Sequence, residues 1–582
     1  ADIINLATNN NVAVGPGRGS ACWLIICYLL GITNVEPLKY GLLFERFMNP
    51  ERISMPDIDI DFDEERRDLV FDYINKKYGN DKVAQIITFG TIGARSGIRD
   101  VGRAMGYDLK ICDRIAKMIP FLTSIDESLK TVDELKKEYK NTESKKLIDV
   151  AIRLEGVIRH IGTHACGVVI TKNKMTRNMP IQLSSKKDGS IIGQYSMGPI
   201  EDLGLLKMDF LGLMNLTIIR KTIELIKEHY GIDLDINEVP MDDDRTFKLL
   251  KNADTTSVFQ LESDGMKRYL RELKPNEFND IVAMISLYRP GPMELISEYI
   301  DRKYGKKNVE YLHPILEPIL KDTYGIMIYQ EQLMAAVRAL AGFSLAEADI
   351  LRKAIGKKIK SLLDDQEYKF KEGAKNNSIS KEISDKFWSL IEPFNKYGFN
   401  KSHGVSYAII AYQTAYLKSN YPVEFMTSVM NCDSGTVDRM SFLISEVKAM
   451  SIRVLPPDIN KSLVNFTAHN GNEIRFGLSH IKGIGEEVIK KIVIEREIGN
   501  EFKNVSDFIR RVDHKSINKR TMEAMIKSGA FDSLESRSIM LKCLGEILIY
   551  GKLVNKELLP TLTLINTVKD IDINKKLVWE KE

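Results

Sequence analysis

The sequence predicts an α+β protein with several domains, and three observations lead to that prediction. The chain has 582 residues, which is more than one hydrophobic core organises, so we expect roughly three to five domains. Near residue 60, acidic and large apolar residues alternate, as they do in a half-buried β-strand. Between about residues 215 and 433, in contrast, most of the chain has the apolar spacing of helices.

The composition is that of an ordinary globular protein, with 44% hydrophobic and 28% charged residues. Because 83 basic side chains nearly balance 80 acidic ones, a nucleic acid would have to be bound by local basic faces. The six cysteines are scattered without a Cys-x-x-Cys pair, which predicts reduced thiols in a cytoplasmic protein and no zinc site. The longest apolar run, residues 21–32, is too short to cross a membrane, and no membrane partner is expected.

The stretch Pro56-Asp57-Ile58-Asp59-Ile60-Asp61-Phe62 predicts a strand with one acidic and one apolar face, because side chains alternate along a strand. Three carboxylates on one face repel each other unless a cation binds there, and an array of oxygen ligands suits Mg²⁺. The alternatives are a solvated acidic strand edge and a calcium loop. The calcium loop fits poorly, since its sixth position is Phe62 instead of Gly and its spacers are Ile.

Residues 15–20, Gly-Pro-Gly-Arg-Gly-Ser, predict a glycine-rich turn that follows a short strand and precedes an apolar helix from about Ala21. Backbone amides in such a turn can bind an anion, and Arg18 adds a full positive charge. The pattern is not a Walker A loop, because the Gly-Lys-Ser/Thr ending is missing. Without further evidence, the motif is best interpreted as a plain turn.

Further along, residues 64–78 predict a helix and residues 83–89 a buried strand. Asp209 is a lone carboxylate in an apolar strand, and Lys207 precedes it by two residues on the same face. The pair is either a structural ion pair or a third metal ligand with a cation for phosphate. His164, just before a strand that starts at Gly167, is predicted to be structural, with a catalytic role as the less favoured alternative.

Two other stretches suit nucleic-acid contacts. Arg95, Arg99 and Arg103 recur every four residues on a predicted helix without acidic partners on the same face; a solvated face is the alternative. Near the C-terminus, a Gly-x-Gly turn with Lys482, Gly483 and Gly485 lies between two short helices. It resembles the helix-hairpin-helix module, which grips a DNA phosphate without reading sequence.

Taken together, the motifs between residue 14 and about residue 534 resemble the α subunits of bacterial DNA polymerase III, the C-family replicative polymerases. In chain order they are Gly-Pro-Gly-Arg-Gly-Ser at 15–20, Leu-Phe-Glu-Arg-Phe at 43–47, the aspartate strand at 56–62, Lys-Met-Asp-Phe-Leu-Gly-Leu at 207–213, Phe-Gln-Leu-Glu-Ser at 259–263, Tyr-Arg-Pro-Gly-Pro at 288–292 and Tyr-Gly-Phe-Asn-Lys-Ser-His at 397–403. The resemblance implies a fragment that lacks the family's PHP domain and C-terminal OB region.

The resemblance also implies a fold and its domains. We expect a polymerase-β-like nucleotidyltransferase palm with a helical thumb and fingers and a C-terminal helix-hairpin-helix domain. The implied domains are a first part of the palm at 1–90, a thumb at 91–165, a second part of the palm at 166–213, fingers at 214–440, and a helix-hairpin-helix and clamp-binding-like domain at 441–582.

The family's activity is DNA-templated DNA synthesis, in which a dNTP is joined to a primer 3′-hydroxyl and pyrophosphate is released. The resemblance implies that Asp57, Asp59 and Asp209 are catalytic and hold two Mg²⁺ ions, with Asp61 in a supporting position. The implied nucleotide contacts are Arg18, Gly19, Ser20, Arg46, Lys207, Arg352, Lys401 and His403, and the implied DNA contacts are the three arginines and the Gly-x-Gly turn. Primer–template DNA, dNTPs, the sliding clamp and other replisome subunits are the implied partners.

The sequence departs from the family pattern in two places. Trp23 follows the glycine-rich turn where the family has a small residue, and we expect it to crowd the adjoining helix. Residues 558–568 contain no clear clamp-binding peptide. Two alternatives to a polymerase stay open, a non-catalytic DNA-binding remnant and a two-metal phosphodiesterase. Gly19, Ser20 and Lys207 disfavour the phosphodiesterase, because hydrolysis of a diester involves no triphosphate.

Overall fold

The structure, a computed structural model, describes residues 1–46, 58–184, 189–357, 360–395, 398–469, 471–512 and 517–554. The chain divides into two compact units. The large unit consists of Ala1–Glu51, Phe62–Glu65 and Leu213–Glu582, and the small unit consists of Arg52–Asp61 and Arg66–Gly212. The small unit is thus formed almost entirely by one continuous stretch, whereas the large unit joins the two ends of the chain.

The large unit begins with helix α1 (Asp2–Asn9), a 3₁₀ helix (Gly19–Trp23) and helix α2 (Ile25–Leu29). The strand expected before the glycine-rich turn is reduced to a single antiparallel bridge between Val14 and Phe62. The helix expected from Ala21 begins as the 3₁₀ helix. The Trp23 side chain is only 3% exposed and lies inside the main hydrophobic core of the large unit, and the expected crowding of the adjoining helix stays a prediction.

The small unit contains a mixed six-stranded sheet. Its strands are β1 (Ile58–Asp63), β2 (Val83–Thr91), β3 (Ile158–Ile170), β4 (Ile181–Leu183), β5 (Ile191–Gly193) and β6 (Leu206–Leu213), in the spatial order β1-β6-β3-β2-β5-β4. Strand β3 pairs antiparallel with both β2 and β6, and β5 lies parallel to β2. The last two residues of β1, Phe62 and Asp63, belong to the large unit.

The helices of the small unit are α3 (Arg67–Tyr78), α4 (Ala94–Ala104), α5 (Leu109–Met118), α6 (Ile125–Thr131), α7 (Asp133–Glu138), α8 (Thr142–Leu154) and α9 (Met197–Asp202). Helix α3 starts later than predicted because Asp63 Oδ1 accepts the backbone N–H of Glu65 and holds a turn there. Helices α4, α5 and α8 share a core in which Ile98, Ile115 and Leu147 are fully buried. This helical core occupies the stretch that the sequence predicted to be helical.

In its described residues the large unit continues with the α-helices α10 (Met214–Tyr230), α11 (Asp244–Asn252), α12 (Asp264–Leu273), α13 (Phe278–Leu287), α14 (Leu295–Lys303), α15 (Glu317–Leu320), α16 (Gln330–Ala341), α17 (Leu345–Lys357), α18 (Lys360–Asn376), α19 (Lys381–Asn395), α20 (Lys401–Asn420), α21 (Pro422–Cys432) and α22 (Val437–Ala449). Helix α20 lies at the centre of this region. It is apolar around most of its circumference, with Ala408, Tyr412 and Ala415 fully buried, as expected of a helix surrounded by others. A second core surrounds α16, α18 and α19.

The C-terminal part begins with a three-stranded sheet, formed by β7 (Arg453–Leu455), β8 (Thr467–His469) and β9 (Glu473–Arg475) in the order β7-β9-β8. The sequence did not predict it, because strands of three residues are too short to show a period. Helices α23 (Glu486–Gly499), α24 (Val505–Arg511), α25 (Lys519–Ser528), α26 (Arg537–Lys542) and α27 (Leu544–Val554) follow and share a separate core. None of the helices within the described ranges is long and apolar enough to cross a membrane.

Candidate active site

The predicted carboxylates lie on neighbouring strands of the six-stranded sheet. Asp59 is on β1 and Asp209 on β6, and these two strands are adjacent. On its other side, β6 pairs with β3 so that Asp209 faces Gly167. Asp57, the third predicted ligand, lies outside the described residues. The fold therefore places carboxylates on two adjacent strands of the sheet, as a two-metal site requires.

Asp209 and Lys207 form the same-face pair that the strand period predicts. Lys207 is only 7% exposed, and its Nζ lies 3.2 Å from Asp209 Oδ2. The next carboxylate, Glu201 Oε1, is 3.9 Å from the same nitrogen and belongs to an exposed side chain. Asp209 Oδ1 is buried and has no hydrogen-bond partner among the described residues. One oxygen of Asp209 is thus balanced by a cation, and the other is left for a ligand.

The chemistry of these donors fits a divalent metal ion. Mg²⁺ prefers carboxylate oxygens, and Asp209 Oδ1 offers one in a buried position with Asp59 on the adjacent strand. In the parts of the chain that the structure describes, which leave out Asp57, no group of three acidic, histidine or cysteine side chains forms a metal cluster. The three-carboxylate site therefore stays a prediction.

The remaining aspartates of β1 are buried. Asp61 is 3% exposed and Asp63 is fully buried, so a solvated acidic edge is the wrong interpretation for this end of the strand. Asp63 Oδ1 accepts a hydrogen bond from Thr217 Oγ1 (2.6 Å), and its Oδ2 accepts one from Arg220 Nε (2.5 Å). The sequence analysis did not single out Asp63, although the period of two continues to this position and could have found it.

In the large unit, the glycine-rich turn is attached to the first two turns of α20. Arg18 Nη1 donates a hydrogen bond to the hydroxyl of Tyr407 at 2.7 Å, and its guanidinium lies 5.8 Å from the centroid of that ring. Ser402 Oγ donates to the carbonyl oxygen of Gly19 at 3.0 Å. Two distant motifs, at 15–20 and 397–403, are therefore in direct contact.

His403 lies at the centre of what we call the arginine–aromatic cluster, which consists of Arg18, Arg289, Phe399, His403 and Tyr407. The imidazole centroid is 4.1 Å from that of Tyr407 and 5.6 Å from that of Phe399. Burial, together with the charges of Arg18 and Arg289, lowers the pKa of His403 to about 4. The ring is therefore neutral near pH 7 and can serve as a hydrogen-bonding group without a charge.

Arg289 is a member of this cluster that the sequence analysis missed. Its guanidinium carbon lies 4.4 Å from the centroid of Phe399, and burial lowers its pKa. It belongs to the Tyr-Arg-Pro-Gly-Pro motif at 288–292, one of the motifs that carry the family resemblance. An arginine within a motif rich in Pro and Gly was the sequence signal that could have identified Arg289 as a candidate site residue.

The other predicted nucleotide contacts have different surroundings. Burial lowers the pKa of Lys401, against the opposing charges of Asp322 and Glu331, and its Nζ lies 5.6 Å from the centroid of Tyr329. Arg352 forms an ion pair with Asp349 one turn earlier on α17, with 2.9 Å between Nε and Oδ1. The side chains of Ser20 and Arg46 lie outside the description. A nucleotide role for these four residues stays a prediction.

The three arginines of α4 were expected to lack acidic partners on the same face of their helix, and that expectation is wrong for Arg103. Arg99 Nε lies 2.6 Å from Asp113 Oδ1 on α5, and Arg103 pairs with Asp100 of its own helix. Arg95 Nε donates to the carbonyl oxygen of Ile119. The arginines thus tie α4 to its neighbours in the small unit, and their contact with DNA stays a prediction.

The Gly-x-Gly turn of the C-terminal part connects a 3₁₀ helix (Leu478–His480) to α23, so the first of the two expected helices is a 3₁₀ helix. Gly483 has φ +94°, a left-handed conformation that favours glycine. Gly485 is the N-cap of α23. A Cβ atom at Gly483 would lie 3.4 Å from Arg520 Nε, so Arg520 is a second cation near the turn, beside Lys482. Arg520 was not among the residues expected from the sequence.

Comparison with known protein families covers three segments of the chain. Residues 1–212 match the family model described as bacterial DNA polymerase III alpha NTPase domain, and residues 215–378 match the finger domain of the bacterial DNA polymerase III alpha subunit. Residues 451–540 match a helix-hairpin-helix motif. The α+β fold class with a finger domain and a C-terminal helix-hairpin-helix domain is confirmed, while the individual domain boundaries stay predictions.

Three relatives, each named DNA polymerase III subunit alpha, illustrate the similarity. The protein of Aquifex aeolicus (strain VF5) is 46% identical over 91% of this chain and 48% of its own length. Those of Thermus aquaticus and Bacillus subtilis (strain 168) are both 44% identical, over 94% and 95% of this chain and 45% and 50% of their own lengths. The chain spans about half the length of the curated relatives it matches. On the motifs, the fold and these matches, the chain belongs to the family of bacterial DNA polymerase III α subunits.

Proposed function

We propose that this chain carries the catalytic centre of a DNA-templated DNA polymerase. The observation that carries the proposal is Asp209, whose Oδ2 is balanced by the buried Lys207 and whose buried Oδ1 has no hydrogen-bond partner among the described residues. Together with Asp59 on the adjacent strand, this is an arrangement that suits a metal ion and a phosphate group at the same place.

In the proposed reaction, Asp57, Asp59 and Asp209 hold two Mg²⁺ ions, which supply Lewis-acid activation of the primer 3′-hydroxyl and charge neutralisation at the triphosphate. Lys207 has two tasks. Its ammonium pairs with Asp209 Oδ2 and orients the carboxylate, and it adds a positive charge close to the transferred phosphate, where negative charge develops during nucleotidyl transfer.

The arginine–aromatic cluster suits an incoming dNTP. Arg18 and Arg289 supply two positive charges, and His403 supplies a neutral ring with a hydrogen-bonding edge. Flat aromatic and guanidinium surfaces bind bases and sugars by stacking, while the charges attract a triphosphate. We assign the cluster to nucleotide binding, and within it Arg289 is an addition to the residues expected from the sequence.

Primer–template DNA is the proposed macromolecular partner. The Gly-x-Gly turn with Lys482 and Arg520 offers backbone N–H groups and cations to a phosphate at the start of α23. By resemblance, a sliding clamp and other replisome subunits are further partners, and the cytoplasm is the proposed location. The segment in which a clamp-binding peptide was sought, residues 558–568, lies outside the described residues.

Primer extension tests the proposal. The full chain is incubated with a 5′-labelled primer–template, dNTPs and Mg²⁺, and products are separated by length. We expect extension that Asp57→Asn, Asp59→Asn and Asp209→Asn each reduce by roughly 10³-fold or more, because each removes charge from the metal site. Asp81→Asn is the matched control, since this exposed aspartate lies in the same unit and its ion pair with Lys174 is long, at 3.9 Å.

The outcomes separate the three candidate functions. Binding of the primer–template without extension would overturn the polymerase in favour of a DNA-binding remnant. Shortening of the primer, abolished by the same aspartate substitutions, would instead indicate a phosphodiesterase. Equal loss of extension in the Asp81 control would show that the assay reports folding of the small unit and not the metal site.

A further inference from the structure

The large unit contains a cavity of about 550 Å³ between the first turn of α10, the loop at 257–263 and the segment that joins α21 to α22. Every residue that lines it belongs to the large unit. The Phe-Gln-Leu-Glu-Ser motif at 259–263 supplies much of the wall. The described lining contains none of the residues assigned above to the reaction. The volume is in the usual range for sites of small organic ligands.

The cavity adjoins the arginine–aromatic cluster. Phe259 lines the cavity, and its ring centroid is 5.0 Å from that of Tyr407. Tyr288 also lines the cavity and directly precedes Arg289 in the chain. Because the cluster is assigned to the incoming dNTP, a ligand in the cavity would be a neighbour of the bound nucleotide.

The charged side chains of the cavity are paired with each other. Arg439 Nε lies 2.7 Å from Asp433 Oδ2, and Arg439 Nη2 lies 3.1 Å from Glu262 Oε2. The same oxygen of Glu262 accepts the backbone N–H of Ser257 at 2.9 Å. No other charged side chain lines the cavity among the residues described. One arginine thus faces two carboxylates, and no positive charge is left over for a phosphate group.

Two neutral amides in the cavity are free to bind a ligand. Asn215 lies in the first turn of α10 and is half-buried, while Gln260 is exposed. Neither side chain forms a hydrogen bond within the described ranges. An amide offers a donor and an acceptor side by side, and the edges of nucleobases present the complementary groups. The two amides therefore suit an uncharged ligand that has both donors and acceptors.

The loop that carries Gln260 is held in an unfavourable conformation. Ser257 and Gln260 have φ +62° and +60°, which is the left-handed region. Ser257 is only 7% exposed, and its Oγ has no hydrogen-bond partner among the described residues. Strained backbone and unpaired buried groups both cost free energy, and they are commonest at ligand sites. This conformation places both side chains in the wall of the cavity.

Apolar side chains complete the wall. Ile218 and Val258 are buried, whereas Met214 is 39% exposed. The thioether of a methionine adapts to flat rings of different shape, and Tyr288 adds an aromatic ring to the same wall. A planar ligand with polar edges therefore matches both the apolar and the amide parts of the cavity.

We propose that this cavity, which we call the amide pocket and define by Met214, Asn215, Ser257, Gln260 and Tyr288, binds one nucleobase beside the arginine–aromatic cluster. The inference rests on the proposed polymerase function. The template strand and the incoming dNTP both present such a base, and the same chemistry recognises either source. The pocket residues hold the base in place and take no part in the transfer itself.

Abasic templates test the template strand as the source of the base. The dissociation constant of the full chain is measured in EDTA for a primer–template whose template overhang is intact or lacks the base at one of its first positions. Asn215→Ala combined with Gln260→Gly removes both amides, and glycine suits the φ of +60°. We expect this double variant to bind the intact template roughly threefold to tenfold more weakly than the wild type. On the template that lacks the contacted base, the two proteins should bind equally.

A nucleotide titration tests the dNTP as the source. The probe is 2-aminopurine deoxyribonucleoside triphosphate, which is fluorescent, with Mg²⁺ and a dideoxy-terminated primer that cannot be extended. If the dNTP supplies the base, the double variant should bind this nucleotide roughly threefold to tenfold more weakly, and the effect on template binding should be absent.

Two substitutions in the same unit are matched controls. Asn252→Ala removes an exposed amide at the end of α11, outside the cavity. Ser451→Gly replaces an exposed residue with φ +62° and so reproduces any effect of relieved backbone strain. Both controls should keep the wild-type affinity in both titrations.

Thermal unfolding verifies that each variant is folded. Wild-type affinities of the double variant in both titrations would overturn the amide pocket. An equal loss on intact and abasic templates, without a loss for the nucleotide, would overturn it as well. Primer extension is measured in parallel: a base-dependent loss in a chain that extends no primer supports the amide pocket and overturns the polymerase, and extension without a loss in either titration does the reverse.

Discussion

Gly167 and Asp209 face each other across the antiparallel strands β3 and β6, and a Cβ atom at position 167 would lie 3.2 Å from Asp209 Oδ1. The same Cβ atom would be 2.9 Å from His164 Nδ1 and 2.8 Å from Ile86 Cδ1. Because glycine has no Cβ atom, position 167 leaves room for the carboxylate oxygen Oδ1 of Asp209.

Gly167→Ala should displace His164, which would lie below 3 Å from the new Cβ atom, press on Asp209 Oδ1 at 3.2 Å, and thereby lower the rate of primer extension. We expect a loss of roughly 10²-fold in kcat, as for a misplaced reacting group. Gly198→Ala is the control, since a Cβ atom there meets nothing within 4 Å. Wild-type kcat in Gly167→Ala would show that the Asp209 carboxylate does not depend on this space.

Lys207→Gln should lower kcat by roughly 10²–10³-fold, the usual loss when one charge-stabilising group is removed. The substitution leaves Asp209 without its 3.2 Å cation partner. Steady-state extension kinetics measure the effect, with Lys174→Gln as an exposed control in the same unit. If only the KM for dNTP rises while kcat stays constant, the lysine contributes to ground-state binding and not to the transfer step.

Asp63→Asn should destabilise the large unit by about 1–3 kcal/mol, because it weakens a buried hydrogen-bonded ion pair while Glu65 and Glu224 still neutralise Arg220. Asp63 is fully buried and Arg220 is 5% exposed. Urea unfolding followed by tryptophan fluorescence measures the change, because Trp23 and Trp388 both belong to the large unit. Asp233→Asn is the control: its pair with Lys227 is exposed and should contribute less than about 1 kcal/mol.

His403 should make the stability of the large unit depend on pH. Its pKa is about 4 in the folded protein and about 6.5 in an unfolded chain. Between these values the unfolded state binds more protons, so stability is complete above pH 6.5 and is lost as the pH falls towards 4. His403→Gln should remove this part of the dependence.

Unfolding free energies measured between about pH 4.5 and 7 compare the two proteins over the window that the pKa difference defines. Parallel curves for the wild type and His403→Gln would contradict the lowered pKa of His403.

Local patterns were predictable from the sequence. The period of two predicted that Lys207 and Asp209 share one face, and in the structure their charged groups are in contact at 3.2 Å. In the aspartate strand, the same period continued two residues beyond Asp61 leads to Asp63. Strand β3 has a bulge at 164–167, which was not predictable, because an irregular segment breaks the period by which a strand is recognised.

Contacts between distant segments could not be predicted from the sequence. Arg99 and Asp113 lie on different helices, so the helical spacing that grouped the arginines gave no indication of the ion pair. Arg18 and Tyr407 are 389 residues apart. The family resemblance indicated that both segments matter, but only the fold brings them into contact and adds Arg289 as a second arginine beside His403.

The bond between Arg18 and Tyr407 has a consequence for how the chain folds during synthesis. The small unit ends at Gly212, so its core can close soon after that residue leaves the ribosome. The glycine-rich turn cannot form its contacts with α20 until that helix has been synthesised, roughly 10–40 s later at usual rates of elongation. Throughout that interval the N-terminal segment lacks the helix that anchors it, and the large unit, with its long-range contacts, is the later and slower of the two to fold.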